Sequence, residues 1–191
     1  VNYTVVNGVL FNTEKTVLLT YPTGKAETNY TIPDSVTSIG EEAFSWCKSL
    51  TSITIPDSVT SIGSSAFYDC SSLTSITMGD SVTSIGHTAF ANCTSLTSIT
   101  VPDSVTSIGS VAFMSCRSLT SITMGDSVTS IGFNAFARCT SLIAVIFLGD
   151  APKVGSGALE GSSSTIYRKP EAKGWGETFG GRPVKLISEK P

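Results

Sequence analysis

A 23-residue segment that occurs five times in succession is the feature that most constrains this chain. The five full copies begin at Ile32, Ile55, Met78, Val101 and Met124, and a degenerate sixth copy begins at Phe147. A period of about 20–29 residues is typical of solenoids, in which each repeat forms one coil. Because one coil cannot bury its apolar residues alone, several copies must stack to form a continuous core. Positions below are counted from 1 to 23 within each copy.

The apolar positions within a copy are irregularly spaced. Val stands at position 5, Ile at 8, Gly at 9, Ala-Phe at 12 and 13, Cys at 16 and Leu at 19 in all five full copies, and position 22 is Ile in the first four and Val in the fifth. No single helix or strand places all of these residues on one face. A coil that turns back every few residues can bury all of them.

The second copy illustrates the local structure that we expect. Residues 50–55 alternate apolar and polar side chains and predict a short strand, which Pro56 ends because proline lacks an N–H donor. Residues 59–62 predict a second extended piece. Gly63 predicts a bend in which the φ angle is positive. Residues 64–67 are expected to begin a short helix with Ala and Phe facing inward.

The repeated motif LxxIxIPxxVxxIGxxAFxxCxx resembles the BspA-like, or Treponema pallidum-type, leucine-rich repeat over residues 32–146. It departs from the commoner leucine-rich pattern, because Ser58 and its equivalents stand where Asn or Cys is usual. The resemblance implies a right-handed leucine-rich-repeat solenoid, β-rich with short helices or turns. It also implies a bacterial protein, secreted or on the cell surface, that adheres to host proteins, matrix proteins or other cells without catalysing a reaction.

Both ends of the array are expected to carry caps, because an open solenoid end invites aggregation. We divide the chain into an N-terminal cap at 1–31, the repeat array at 32–165 and a C-terminal cap at 166–191. Two predicted strands at 9–11 and 17–21 would form a β-hairpin over the first coil. Trp175 and Phe179 are expected to cover the last coil.

The charge distribution argues against nucleic-acid binding. Only 14% of residues are charged and the net charge is −3. Residues 32–146 hold three basic side chains against eight acidic ones, whereas nucleic-acid binding requires a basic stripe.

No apolar run approaches the roughly 20 residues of a membrane span. The chain begins at Val1 without a leader peptide, which predicts a mature chain or a trimmed segment, so the extracellular location rests on the resemblance. The oligomeric state stays open, with a monomer expected.

The five cysteines all stand at position 16 and are expected to form a ladder of buried thiols. Side chains stacked in parallel do not offer the geometry that a disulfide needs. There is no CxxC motif and only one histidine, so we expect no metal site and no cofactor. The cysteines are Cys47, Cys70, Cys93, Cys116 and Cys139.

The outward face of the main strand is a nearly invariant array of hydroxyl side chains, the first candidate binding surface. It could dock a protein or a glycan, could order ice, or could be a solvated sheet without a ligand. We call these residues the strand face: Thr51, Ser52, Thr54, Thr74, Ser75, Thr77, Thr97, Ser98, Thr100, Thr120, Ser121 and Thr123.

The second candidate surface consists of variable residues on the expected helix side of the coils. Exposed aromatic and arginine side chains often anchor protein partners, although they can also pad neighbouring coils. The candidates are Trp46, Tyr68, His87, Met114, Phe133 and Arg138.

Repetition lines up identical groups, whereas catalysis needs unlike groups at one point. His87 stands at a variable outward position, and the glycines at 155 and 157 lack the lysine of a phosphate-binding loop. The aspartates at position 3 are expected to cap turn amides rather than to bind calcium. We therefore expect a non-catalytic protein-binding or adhesion module. The alternatives are a glycan- or ice-binding face and a structural spacer.

Overall fold

The computed structural model describes residues 3–190 and shows a β-solenoid whose coils follow the 23-residue repeat. Eighteen short strands and one terminal 3-10 helix make up the described part of the chain. The strands are β1 Tyr3–Val6, β2 Val9–Asn12, β3 Val17–Thr20, β4 Asn29–Thr31, β5 Ser38–Ile39, β6 Ser52–Ile55, β7 Ser61–Ile62, β8 Ser75–Met78, β9 Ser84–Ile85, β10 Ser98–Val101, β11 Ser107–Ile108, β12 Ser121–Met124, β13 Ser130–Ile131, β14 Ala144–Phe147, β15 Lys153–Val154, β16 Thr165–Arg168, β17 Thr178–Phe179 and β18 Arg182–Leu186, and the 3-10 helix is Ile187–Glu189.

Each coil contributes one strand to each of two parallel ladders. The longer strands form the main sheet, which has two parts, β4-β6-β8 and β10-β12-β14-β16-β18-β17. The four-residue strands β1 to β3 and the two-residue strands of the coils form the second sheet, in the order β1-β2-β3-β5-β7-β9-β11-β13-β15. Paired residues in the repeats are 23 positions apart, as with Ser98 and Ser121, so equivalent side chains stack directly. Both strands that the repeat pattern predicts are thereby confirmed.

The third side of each coil consists of turns, so the expected short helix is wrong. Positions 11 and 15 adopt positive φ angles in all five full copies, for example 56° at Glu42 and 63° at Trp46. A helix requires N–H bonds to carbonyls four residues earlier. Here alternate N–H groups bond to the next coil instead, as from Phe44 to the Ala66 carbonyl at 2.7 Å. We call this part of the coil the turn side.

A column of stacked phenylalanines runs through the centre of the solenoid. The rings of Phe44, Phe67, Phe90, Phe113 and Phe136 are fully or almost fully buried. Neighbouring ring centroids lie 4.9–5.3 Å apart with interplanar angles of 12° or less. Tyr21 extends the column at the N-terminal end, at 5.1 Å from Phe44. Aromatic pairs of this kind stabilise a fold beyond the area that they bury.

The five cysteines form the predicted ladder of buried free thiols. In four copies the Sγ atom donates a hydrogen bond to the carbonyl of the phenylalanine in the preceding coil, as from Cys93 to Phe67 at 3.3 Å. Burial raises the pKa of the Cys47 thiol to about 11 and raises the pKa values of Cys70, Cys93 and Cys116 further. The thiols therefore act as hydrogen-bond donors as well as small apolar groups.

Close packing between coils, and not a positive φ angle, explains the glycine at position 9. Gly63 lies outside the positive-φ region, contrary to expectation. A Cβ atom on Gly63 would lie 2.7 Å from the Gly40 backbone, closer than real Cβ contacts allow. The same holds at Gly86, Gly109 and Gly132, so only glycine lets these backbones stack.

Both ends of the described chain are covered. The predicted hairpin is confirmed as β2 and β3, and β3 pairs with β5 to join the second sheet. At the other end Trp175 and Phe179 pack on Phe147 at 4.9 and 5.4 Å, as predicted. Within residues 3–190 no helix has the length and hydropathy that crossing a membrane requires.

Candidate functional site

The strand face points outward from the main sheet, but many of its hydroxyl groups are engaged within the protein. Three of the four threonines at position 20 donate to the carbonyl of the equivalent residue one coil earlier, as from Thr74 to Thr51 at 3.0 Å and from Thr120 to Thr97 at 3.0 Å. These hydroxyls reinforce the stack of coils. The serines at position 21 and the threonines at position 23 present the remaining outward hydroxyl groups, including Ser98 and Thr100.

The strand face is not one continuous lattice, because the main sheet is interrupted between β8 and β10. A cleft of about 510 Å³ lies between these strands. Six of the twelve strand-face residues line it: Thr74, Ser75, Thr77, Thr97, Ser98 and Thr100. The repeat pattern alone gives no sign of this interruption, because β8 and β10 carry almost the same residues as their neighbours.

The turn side carries an exposed aromatic cluster at the first two copies. Trp46 is 50% exposed and meets Tyr68 edge to face, with ring centroids 5.4 Å apart. The Lys48 Nζ atom lies 5.0 Å from the Trp46 ring centroid and 3.4 Å from an Asp69 carboxylate oxygen. The Asn92 Nδ2 atom donates to the Tyr68 hydroxyl at 3.3 Å. We call these five residues the Trp46 cluster.

The cluster brings together two predicted residues and three that sequence reasoning missed. Asp69 and Asn92 occupy position 15, the same position as Trp46, in the next two copies. Lys48 follows Trp46 by two residues. These three residues could have been predicted from the 23-residue register, because residues at equal or adjacent positions in successive copies lie side by side.

The other predicted residues on this side do not join the cluster. Phe133 is 53% exposed, His87 and Arg138 are exposed, and Met114 is half-buried. Among the contacts of residues 3–190, none links these four side chains to Trp46 or Tyr68. The structure thus contains one compact aromatic group on the turn side and several separate residues.

The aspartates at position 3 link coils and do not cap their own turns. The Asp57 carboxylate accepts a hydrogen bond from the Asp80 backbone N–H at 2.9 Å, and Asp103 accepts one from Asp126 at 3.0 Å. These two aspartates therefore cap turn amides that follow a glycine, as expected, but the capped turns belong to the next coil. Within the described chain, no group of three or more His, Cys, Asp or Glu residues is placed to hold a metal ion.

Comparison with known proteins places the chain among bacterial repeat proteins. A family model described as a BspA type leucine rich repeat region matches residues 23–143 and 60–171, with six copies. The chain belongs to this BspA-type leucine-rich repeat family. The family agrees with the resemblance that the repeated motif shows.

Solved structures of bacterial leucine-rich repeat proteins are similar to this BspA-type chain. A leucine rich cell surface protein from Faecalibacterium prausnitzii is 35% identical with a TM-score of 0.75, over 78% of this chain and 40% of that protein. A leucine-rich repeat protein from Eubacterium ventriosum is 28% identical with a TM-score of 0.66, over 94% and 54%. The Treponema pallidum leucine rich repeat protein is 25% identical with a TM-score of 0.62, over 84% and 85%. No curated protein sequence matches. The chain spans about two fifths of the Faecalibacterium protein.

Proposed function

We propose that this BspA-type repeat segment is a non-catalytic protein-binding module of a bacterial cell-surface or secreted protein, and that the Trp46 cluster anchors the partner. The location is supported by the similar Faecalibacterium prausnitzii protein, which is described as a cell surface protein. An adhesive role, with host or matrix proteins as partners, is part of the proposal.

The half-exposed side chain of Trp46 carries this proposal. Tryptophan and tyrosine dominate the binding energy of protein interfaces, because a large ring buries much area at little cost in conformational entropy. The Trp46 ring is already held by Tyr68 and Lys48, so a partner would not have to order it. The Lys48–Asp69 pair places both signs of charge at the rim, where complementary charges favour specific partners.

The strand face supports a periodic ligand less well. Ice or a regular glycan requires evenly spaced hydroxyl groups over a flat surface. Here the position-20 hydroxyls bond to the protein backbone, and the sheet is interrupted in the middle of the array. We therefore favour a protein partner on the turn side.

The repeat supplies variants that test the turn side without disturbing the fold. Trp46→Asn copies Asn92, which holds the same positive φ angle at position 15. Tyr68→Ala copies the alanines at position 14 in copies three and five. The matched control is Phe133→Ser, which removes an exposed ring outside the cluster and copies Ser110.

The binding test uses immobilised matrix proteins, a glycan array and growing ice as ligands. We expect wild type and Phe133→Ser to bind a matrix protein equally, and the double variant at Trp46 and Tyr68 to lose at least about tenfold in affinity. A second variant changes Thr54, Thr77, Thr100 and Thr123 to lysine. Loss of binding only in that variant would move the function to the strand face, and no binding by wild type would favour a structural spacer.

A further inference from the structure

The interruption between β8 and β10 is a break in backbone hydrogen bonding. Neighbouring coils elsewhere are joined by N–H and hydroxyl bonds at position 20, as from Thr74 to the Thr51 carbonyl and from Thr120 to the Thr97 carbonyl. Among residues 3–190 no such bond joins Thr97 to Thr74, and β8 does not pair with β10. The peptide edges of these two strands therefore face each other unpaired. We call this opening the seam.

The seam opens on one side of the solenoid only. Behind it the second sheet continues from β9 to β11, and the Phe90 N–H bonds to the Ala112 carbonyl at 2.7 Å. The Phe90 and Phe113 rings remain stacked at 5.2 Å. The seam is thus a wedge in an otherwise intact stack. Some Cα atoms of β8 and β10 lie within 8 Å of each other, closer than the roughly 9.5 Å between strands that flank a third one, so insertion must open the wedge further, which breaks no main-sheet bond.

The seam lies at the one place among the five full copies where proline at position 2 follows glycine at position 2. Where a copy with glycine at position 2 follows a copy with proline there, the two backbones are in close contact. A Cβ atom on Gly79 would lie 2.5 Å from the Pro56 carbonyl oxygen, and a Cβ atom on Gly125 would lie 2.5 Å from the Pro102 carbonyl oxygen. Pro102 follows Gly79 in the opposite order. Its nitrogen has no hydrogen to donate, so the bond that joins the Gly125 N–H to the Val101 carbonyl has no counterpart between Pro102 and Met78.

The floor of the seam is apolar. Ile76 and Met78 are only half-buried, whereas the equivalent residues in the copies on either side, such as Ile99 and Val101, are buried. Asp80 lies at the end of the cleft, where β8 ends.

We propose that the seam is a strand-acceptor site, in which an extended segment of a protein partner inserts between β8 and β10 and bonds to both edges. Only another extended backbone offers donors and acceptors at the spacing of a strand. The segment is about four residues long, to match the four-residue strands on each side. It carries alternate apolar side chains toward Ile76 and Met78 and a lysine or arginine beside Asp80. The proposal rests on the proposed protein-binding function and gives it a second, backbone-directed contact.

Synthetic peptides test the acceptor directly. The probe is a fluorescent hexapeptide amide, Lys-Thr-Ile-Thr-Val-Lys, with a basic residue at each end so that either strand direction fits. One twin is N-methylated at its threonines and another at the Ile and Val, which removes the N–H donors facing one edge or the other. Insertion predicts that both twins bind at least about tenfold more weakly, because each loses hydrogen bonds that the parent makes. If either twin binds as the parent does, or if the parent does not bind, insertion is refuted.

A crosslink across the seam supplies the matched protein control. Ser75→Cys with Ser98→Cys places thiols on the two unpaired strands, where a short bis-thiosulfonate linker holds the seam closed. Ser98→Cys with Ser121→Cys places the same linker across a paired ladder. Closing the seam should abolish binding that the reduced protein retains, whereas the second crosslink should leave it unchanged. Equal binding before and after closure would overturn the proposal.

Amide exchange and a turn-side variant separate the two proposals. Bound peptide should slow hydrogen exchange at Ser75–Met78 and Ser98–Val101 and leave Ser52–Ile55 unchanged; slowing elsewhere only would overturn insertion. The Trp46→Asn/Tyr68→Ala protein should bind the peptide as wild type does. If the peptide does not bind while matrix-protein binding depends on Trp46, the strand-acceptor proposal is refuted and the proposed protein-binding function is supported. If the peptide binds as predicted and no matrix protein binds, the proposal that the Trp46 cluster anchors a partner is refuted instead.

Discussion

Removing one ring from the phenylalanine column should destabilise the whole array. Phe90 is fully buried between Phe67 at 5.0 Å and Phe113 at 5.2 Å. A buried Phe→Ala change costs about 3–5 kcal/mol in protein cores, and the coils on either side of Phe90 are fixed by backbone ladders that limit collapse into the cavity. We therefore expect Phe90→Ala to lower the free energy of unfolding by about 4–5 kcal/mol. Urea titration followed by circular dichroism measures this loss.

The same column contains the controls. Phe113 also has two ring neighbours, so Phe113→Ala should cost as much as Phe90→Ala. Phe136 has one phenylalanine neighbour and faces Leu159 of the sixth copy, so Phe136→Ala should cost about 0.5–1.5 kcal/mol less. A loss below about 1 kcal/mol for Phe90→Ala, or a larger loss at Phe136 than at Phe90, would refute the argument that stacked rings hold the coils together.

Three further predictions concern the thiols, the glycines and the turn side. Burial raises the pKa of Cys47 to about 11 from an ordinary value of 9.0, so this thiol ionises at lower pH in the unfolded protein than in the folded one. The free energy of unfolding should therefore fall as the pH rises from 9 to 11. Urea titrations at the two ends of this range measure the fall, and Cys47→Ser should reduce it. Gly109→Ala places a Cβ atom 2.6 Å from the preceding coil and should cost about 2–3 kcal/mol by chemical denaturation, whereas Gly24→Ala, with open space around it, should be nearly neutral. Val111 is a β-branched residue held at a φ angle of 62°, a strain of about 1 kcal/mol that Val111→Asn should relieve. The substitution should therefore raise the melting temperature, and an unchanged or lower melting temperature would contradict this.

Much of the fold follows from the repeat because equal spacing fixes the register of stacked coils. A 23-residue period with Ile at positions 8 and 22 places β7 and β6 on separate ladders and aligns every phenylalanine and cysteine. The caps follow from the apolar residues that the end coils would otherwise expose. Trp175 and Phe179 could be assigned to Phe147 for that reason.

The turn side could not be predicted from composition, because Ala-Phe before a polar residue suits a helix as well as a turn. Inter-coil bonds decide in favour of the turn, and a single isolated copy does not reveal them. The seam is invisible for a similar reason. Strands β8 and β10 have nearly the same sequence, and the interruption coincides with the one place among the full copies where proline follows glycine at position 2.

The direction of the turn-side bonds gives the turn side a local electrical polarity. The N–H groups at positions 6 and 9 of each full copy oppose it elsewhere in the coil, because they donate to the preceding coil. Three N–H groups per full copy, at positions 11, 13 and 15, all donate to the following coil. Each peptide unit carries a dipole of about 3.5 D, and dipoles aligned along one axis add as they do in a helix. On the turn side the positive end faces the C-terminus, opposite to the polarity of an α-helix. Because the charge of aligned dipoles resides at the ends of a stack, this polarity favours anions beside the last coil of the turn side and cations beside the first, whatever the number of repeats.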